Sequence, residues 1–319
     1  MAIATYSPAY TLVPTYECFN RCSYCNFRVD LGQGELLGLV EARQRLAQLP
    51  PEISEILILS GEIHPRSPRR SAWFRRIYQL CELALELGFL PHTNAGILSW
   101  EEMQGLRQVN VSMGLMLEQL TPRWLETVHH HAPSKVPDRR LEQLVWAGEW
   151  SIPFTTGLLL GLGETPADWR ETLMAIAQIQ QRWGHIQEVI LQPYCPGSQE
   201  IHAGLGCGEQ ELLDCVAIAR EILPHEIALQ IPPNLVSPTT LRAALAAGVT
   251  DLGGIGPIDE VNPDYAHERI EQLQAAIAPD WQLQPRLPVY PQYISWLSEP
   301  LQRAVEQVQS CRRNPVVGP

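Results

Sequence analysis

Three cysteines stand close together near the start of the chain, in the stretch ECFNRCSYCNF: Cys18, Cys22 and Cys25. Thiolates are soft metal ligands, so the spacing C-x3-C-x2-C raises metal chemistry first. A tight polar loop is a poor place to bury thiols for packing alone. A closed structural zinc site takes four ligands, and no Cys or His stands nearby at finger spacing. Ferredoxin-type electron carriers also use four thiolates. The remaining reading uses the deficit. Three thiolates can hold a [4Fe–4S] cluster and leave one iron open, and an open metal position is where substrate chemistry takes place. A molecule with an amine and a carboxylate could chelate that iron. S-adenosylmethionine has both, and one electron from the cluster would cleave its sulfonium carbon–sulfur bond and release a 5′-deoxyadenosyl radical.

The elements around these cysteines form a regular rhythm. YTLVPT, 10–15, reads as a strand that ends just before them. EILILSG, 55–61, is a continuous apolar run, as expected of a strand buried on both faces. Further strands read at 89–96, 109–115, 153–163, 186–192, 227–232 and 251–256. Helices alternate with them at 35–49, 72–88, from 99, at 138–150, 165–184, 209–223, 237–248 and near 264–278. Pro50-Pro51 stops the first, Ser99 with Glu102 forms a capping box, and Thr165, Pro166 and Gly184 bracket another. Alternation of this kind forces parallel strands. About eight units in roughly 270 residues is the length of a (β/α)8 TIM-type barrel. A doubly wound open sheet is the alternative, but no Gly-rich phosphate fingerprint follows the first strand. The reading is an α/β barrel over 1–286 with a C-terminal extension, 287–319, packed outside on the barrel. In such a barrel, functional residues sit at the C-terminal ends of strands, which places the three cysteines on the active face.

Composition narrows the partners. A formal net charge of −12 is not a nucleic-acid footprint. No apolar run reaches membrane-spanning length, and the N-terminus lacks the basic and apolar regions of a secretory signal. A cytoplasmic location is the expectation. In that reducing compartment Cys81, Cys195, Cys207, Cys215 and Cys311 are packed or exposed single thiols.

The cysteine motif, with Tyr24 before the third thiol, resembles the radical S-adenosylmethionine superfamily. Ser60-Gly61-Glu62 resembles its Gly-Gly-Glu motif, whose backbone meets the methionine amine. GLLLGLGE, 157–164, resembles the Gly-x-Ile-x-Gly-x-x-Glu motif that borders the adenine. Further stretches resemble one branch, the small subunit of deazaflavin (F0) synthase: HTNAG, SMGLMLE, PSKVPDRR, GHIQEVILQ, PPNL and DLGGIGPIDEVNP, in order over most of the chain. QPYCPG, 192–197, departs from the aromatic that usually follows Gln-Asn there. The resemblance implies that Cys18, Cys22 and Cys25 hold a [4Fe–4S] cluster. It also implies that Tyr24, Gly61, Glu62, Glu118, Arg140, Gly161 and Glu164 meet S-adenosylmethionine. Arg140 would pair with the methionine carboxylate, as a planar carboxylate clamp suits arginine, or is an exposed helix residue. Glu118 would bind ribose hydroxyls, or caps the helix near Thr121.

The branch also implies a substrate and partners. A second synthase subunit joins a 4-hydroxybenzyl group to a ribityl-diaminouracil. This subunit then closes the ring with loss of ammonia, drawing electrons from a donor such as ferredoxin or flavodoxin. A polar, polyhydroxylated substrate calls for neutral hydrogen-bonding groups at the strand ends. Thr155, Gln187, Gln192 and Asn234 are the substrate-binding candidates, and His92, Asn94 and Glu188 the catalytic ones. His92 could equally be a hydrogen-bonded structural residue, Asn94 turn chemistry, and Asn234 the cap of the next helix. Glu188 in an apolar strand is harder to dismiss, because a buried carboxylate is costly without a partner. Alternate strand residues face opposite ways, so either Gln187 or Glu188 faces the interior, and sequence leaves that register open. Adjacent residues on a helix diverge, so the run His129 to His131 is not read as a metal site. Two rival functions remain: a related radical enzyme acting on another small molecule, such as a menaquinone-pathway or biotin-synthase-like enzyme, and a non-catalytic zinc or electron-transfer protein.

Overall fold

The computed structural model describes residues 1–202 and 204–313. Eight parallel strands close on themselves: β1 (Ala2–Leu12), β2 (Glu55–Leu59), β3 (Leu90–Asn94), β4 (Ser112–Gly114), β5 (Phe154–Leu160), β6 (Ile186–Pro193), β7 (Ala228–Gln230) and β8 (Asp251–Ile255). Their order runs from β2 to β8 and then to β1, which pairs back with β2, so the TIM-type barrel is closed. The helices between them are α1 (Leu39–Ala47), α2 (Arg70–Glu86), α3 (Trp100–Leu106), α4 (Arg123–Glu126), α5 (Pro137–Glu149), α6 (Pro166–Trp183), α7 (Glu209–Ile222), α8 (Pro238–Ala246) and α9 (Ile270–Ile277).

The apolar runs form strands because both of their faces are covered. In β2, Ile56 and Ile58 are fully buried in the core shared with the helices, while Glu55, Leu57 and Leu59 line the barrel interior. This is the two-residue period at work. Helix ends follow the sequence signals. Ser99 and Glu102 make both bonds of a capping box, and α6 starts at Thr165 and ends at Gly184 with φ 66°.

Three differences from the sequence reading concern β1 and the chain's end. β1 starts at Ala2 and stops at Leu12, earlier than expected, because its first half has partners of its own. Residues Ala2 to Tyr6 pair with an additional strand, β9 (Trp281–Pro285), while Ala9 to Leu12 pair with β2. The helix expected from 264 begins only at Ile270, leaving 256–269 as a long loop over the barrel mouth. After β9 the chain crosses beneath the barrel. Leu287, Val289 and Tyr293 pack with Leu90 and Val111 at the starts of β3 and β4, and Leu301 and Val305 of α10 (Glu299–Arg313) join that cluster. Ser112 Oγ and Gln187 Nε2 both donate to the Pro288 carbonyl, at 2.7 and 3.0 Å. These contacts set residues 287–305 against the starts of β3 and β4 and at the barrel's floor.

Candidate active site

The loop after β1 carries the cysteines to the C-terminal mouth. Cys18 Sγ accepts from the Glu62 backbone N–H at 3.4 Å, so the cysteine loop and the Ser-Gly-Glu turn after β2 are joined directly. Gly61 is obligatory there, because a methyl group at its Cα would lie 2.2 Å from the Glu17 carbonyl oxygen. Gly96, in the left-handed region at φ 74°, leaves room for the Glu62 carboxyl, which a methyl would strike at 2.2 Å. Burial pushes the Cys18 thiol up to about 11 and that of Cys22 up to about 12, and charge on the neighbouring thiols adds to both. The three thiols are thus within electrostatic reach of one another, and iron would have to replace their protons.

A cavity of about 310 Å3 opens beside Cys25, walled in part by Tyr24, Glu62, Glu118, Lys135 and Arg140. Arg140 is fully buried, donates to the Met116 carbonyl and approaches Glu62 Oε1 at 3.5 Å. Glu62 Oε2 and Arg140 Nε are buried without any hydrogen-bond partner. Orphaned buried charges of this kind are rare and call for an explanation. Glu118 is held at φ 68°, a strained conformation for a residue with a side chain, and its carboxylate accepts from Lys135 Nζ at 2.5 Å. Burial and Arg140 pull the Lys135 pKa down, but Glu118, Cys22 and Glu62 more than restore it. Tyr24 donates or accepts at His129 Nε2 over 2.9 Å and packs with Trp124, Leu159 and Tyr194.

Below this cavity lies a second, of about 170 Å3, and Leu57, Leu59, Asn94, Ile190 and Gln192 line both. The two form one lumen running from the cysteines to the floor. At the floor Arg286 bonds Asp251 twice, at 2.6 and 2.8 Å, and Glu188 Oε1 at 2.7 Å. Tyr290 lies against the guanidinium, 4.9 Å from ring centroid to carbon. Thr155 Oγ1 donates to Glu188 Oε2 at 3.2 Å, and Gln230 donates to the same carboxyl when its amide nitrogen faces it. Burial pushes Glu188 well above the usual carboxylate range, against the pull of Arg286. Burial acts the same way on Asp251, but the two guanidinium bonds hold it below the usual carboxylate range. Burial and Arg286 lower His92 to about 3, so its ring is neutral. Ser112 commits its hydroxyl proton to Pro288, so the 2.7 Å contact from His92 Nδ1 requires the proton on Nδ1. Nε2 is then an acceptor with no protein partner among the described residues.

Sequence comparisons bear on what this lumen is for. The profile of the Radical SAM superfamily matches residues 12–176. A protein of Trichormus variabilis named 7,8-didemethyl-8-hydroxy-5-deazariboflavin synthase is 61% identical over 308 residues, covering 96% of this chain and 91% of that one. One of the same name from Thermosynechococcus vestitus is 59% identical, covering 95% and 98%. This chain belongs to the radical SAM superfamily, among the 7,8-didemethyl-8-hydroxy-5-deazariboflavin synthases. Solved structures agree on the fold. The [FeFe]-hydrogenase maturase HydG from Carboxydothermus hydrogenoformans superimposes with a TM-score of 0.75 at 16% identity, over 98% of this chain and 79% of that one. Methylornithine synthase gives 0.59 at 13% identity, over 98% and 82%.

Deazaflavin synthases of this superfamily use a [4Fe–4S] cluster bound by cysteines, together with S-adenosylmethionine. The residues present fit both. No three His, Cys, Asp or Glu side chains converge on a single-ion position among the described residues, and a cluster instead takes one thiolate per iron. The unpaired Glu62 Oε2 and Arg140 Nε offer one acceptor and one donor, the complement of an amino acid's ammonium and carboxylate.

The other candidates divide. His92, Asn94, Thr155, Glu188 and Gln192 line the lower cavity. Gln187 does not, and the reason is a bulge: Phe154 pairs with Ile186 and Thr155 with Glu188, leaving Gln187 as the extra residue. It turns to the floor segment, donating to Pro288 O and accepting from Tyr290 N at 3.2 Å. Asn234 does not line the lumen and does not cap α8, whose cap is Ser237. It donates to Asp259 and to the Tyr265 carbonyl, both at 2.9 Å, and so pins the loop over the mouth. Glu164 accepts from the Gly161 and Leu162 amides and from Trp169 Nε1, which fixes the turn after β5, where Gly161 sits at φ 95°. Lys135, Asp251, Arg286 and Glu55 were not singled out in the sequence reading. Lys135 and Asp251 lie inside stretches that carried the resemblance, which was the available signal. Arg286 had none.

Proposed function

We propose that this enzyme closes the deazaflavin ring on a 4-hydroxybenzyl adduct of ribityl-diaminouracil, releasing ammonia, methionine and 5′-deoxyadenosine, and so acts as a carbon–nitrogen lyase. The observation that carries the reading is the single lumen joining the cysteine loop to a polar floor. When bound, the cluster supplies the electron that cleaves S-adenosylmethionine and thereby a hydrogen-abstracting radical. The chain's own residues do the rest. Cys18, Cys22 and Cys25 hold the cluster. Glu62 and Arg140 take the ammonium and carboxylate of the methionine group, and Glu118 with Lys135 meets the ribose. Tyr24 shields the site from above, while Gly161 and Glu164 shape the turn beside the adenine. The side chains of Asn94 and Gln192 make no protein hydrogen bonds among the described residues, so they are available to the substrate midway down the lumen. His92 Nε2 accepts from it, and Thr155 and Glu188 bind it at the floor. Gln187 and Asn234 act indirectly, through the floor and the mouth loop. A closed barrel keeps the radical from water.

The substrate comes from a second synthase subunit and the electron from a ferredoxin- or flavodoxin-type donor, in the cytoplasm. No helix among the described residues is long and apolar enough to cross a membrane. The test is a coupled, oxygen-free assay with the partner subunit, tyrosine, the ribityl-diaminouracil, S-adenosylmethionine and reductant. A fluorescent deazaflavin is expected. Deoxyadenosine without deazaflavin would point to a different substrate.

A further inference from the structure

The floor holds more acid than base. Three carboxyl groups face one guanidinium: Glu55 from β2, Glu188 from β6 and Asp251 from β8, around Arg286. The other groups bonded to Glu188 are Tyr290 from the floor segment and the uncharged Thr155 and Gln230 from β5 and β7, and neutral His92 from β3 lines the same cavity. Asp251 takes two bonds from Arg286, one from the Gly253 amide at 2.6 Å and one from Thr5 Oγ1, against a single guanidinium bond at Glu188, so Asp251 holds the larger share of the cation. That pair is neutral. A second ionised carboxyl would be a buried, uncompensated charge, which a dry site resists by keeping the proton. Glu188 shares Arg286 with Asp251 and stands on the same inward face of β6 as Ile190 and Gln192, which lead up to the cofactor cavity.

We propose that Glu188 is the proton donor to the nitrogen that leaves the substrate, and that Arg286, brought in by the segment after β9, is the positioning residue that neutralises Asp251 and aims the Glu188 carboxyl into the lumen. The inference rests on the ring-closing reading above. In the elimination, the carbon–nitrogen bond breaks with its electron pair going to nitrogen. The amine takes the Glu188 proton, and ammonia leaves a Glu188 carboxylate behind. The neighbouring carbon gives up a proton as its C–H pair becomes the new double bond, and the carboxylate recovers that proton. The step is redox-neutral.

The experiment measures deazaflavin and 5′-deoxyadenosine in the same samples of cluster-loaded enzyme, across pH. For the unsubstituted enzyme, deazaflavin per deoxyadenosine is expected to fall on the alkaline side, as the raised Glu188 loses its proton. Glu188→Gln keeps the shape and lacks the acid; it should lower deazaflavin by about 100-fold or more while deoxyadenosine continues. Arg286→Met removes the charge that favours ionised Glu188, so the alkaline limb moves to higher pH; Arg286→Lys leaves the limb in place, and Glu55→Gln, which removes an acid that raises Glu188, moves it to lower pH. A purely structural arginine would change amplitude alone. Infrared spectra without turnover, taken in a Glu55→Gln background to remove the neighbouring acid's own band, provide a second measure: a protonated carboxylic acid band at neutral pH, lost when Glu188→Gln is added. Undiminished deazaflavin per deoxyadenosine in Glu188→Gln, or an acid band that survives it, overturns the proposal. An unmoved limb in a folded Arg286→Met overturns the role of Arg286. If the unsubstituted enzyme makes no deazaflavin at any pH, the substrate reading fails instead, and the infrared band decides the proton assignment.

Discussion

The mouth and the floor of this barrel treat buried charge in opposite ways. At the mouth, Glu62 and Arg140 meet only loosely, at 3.5 Å, and each keeps a buried polar atom without a partner. At the floor, Arg286 closes on Asp251 and Glu188 at 2.6 to 2.8 Å. The mouth is built to be completed by a ligand, and the floor is completed by the chain's own last segment. Buried polar groups are normally satisfied, and the proposed function puts the cofactor at the mouth's unsatisfied pair. The floor, satisfied and rich in acid, is where the proposed proton donor stands.

Substitutions can break this contrast. The largest effect belongs to the thiols: Cys22→Ala should abolish both bound iron and deoxyadenosine formation, read by metal analysis and chromatography. Arg140→Met should keep the iron but weaken S-adenosylmethionine binding by roughly 10- to 100-fold, the worth of a charged hydrogen bond, measured by titration calorimetry. Gly61→Ala drives a methyl onto the Glu17 carbonyl, 2.2 Å away. It should cost about 1–3 kcal/mol of stability in denaturant melts. Gly163→Ala, with φ 91° but nothing within 4 Å, should cost only about 1–2 kcal/mol of backbone strain. Acid sharpens the comparison from the other side. Burial holds His92 near 3 and His185 near 4, below their unfolded value of about 6.5. The unfolded chain therefore binds their protons first, and stability should fall as pH drops below about 6.5, by up to about 1.4 kcal/mol per pH unit for each histidine. Melting temperatures across that range check it. The smallest effect is that of Cys311→Ser, on an exposed helix position, which should leave iron content unchanged.

The two regions also differ in how far they could be read from sequence. The barrel is legible because its β/α units announce themselves locally, through apolar runs and, at α3, α6 and α8, a capping side chain. The cysteine site is legible because its three proposed ligands lie within one loop and their spacing is chemistry in itself. The floor is not. Glu55, Glu188, Asp251 and Arg286 come from distant points of the chain and meet only once the barrel closes. The Gln187 bulge shifts the inward register of β6 by one residue, and periodicity alone cannot supply that. β9 is a short, partly exposed strand whose partner is the first half of β1, so nothing in its own five residues names that pairing. Asn234 shows the limit from the other direction: its position after β7 suggested a substrate contact, and the structure bonds it to the mouth loop.

The most direct test of the open-iron site is the electron paramagnetic resonance spectrum of the reduced, anaerobically prepared enzyme, recorded before and after adding S-adenosylmethionine. About four irons per chain and a cluster signal that shifts on addition are expected, because the cofactor docks on the iron that no cysteine holds. A signal that S-adenosylmethionine leaves unmoved, or a fourth protein ligand on that iron, would contradict it.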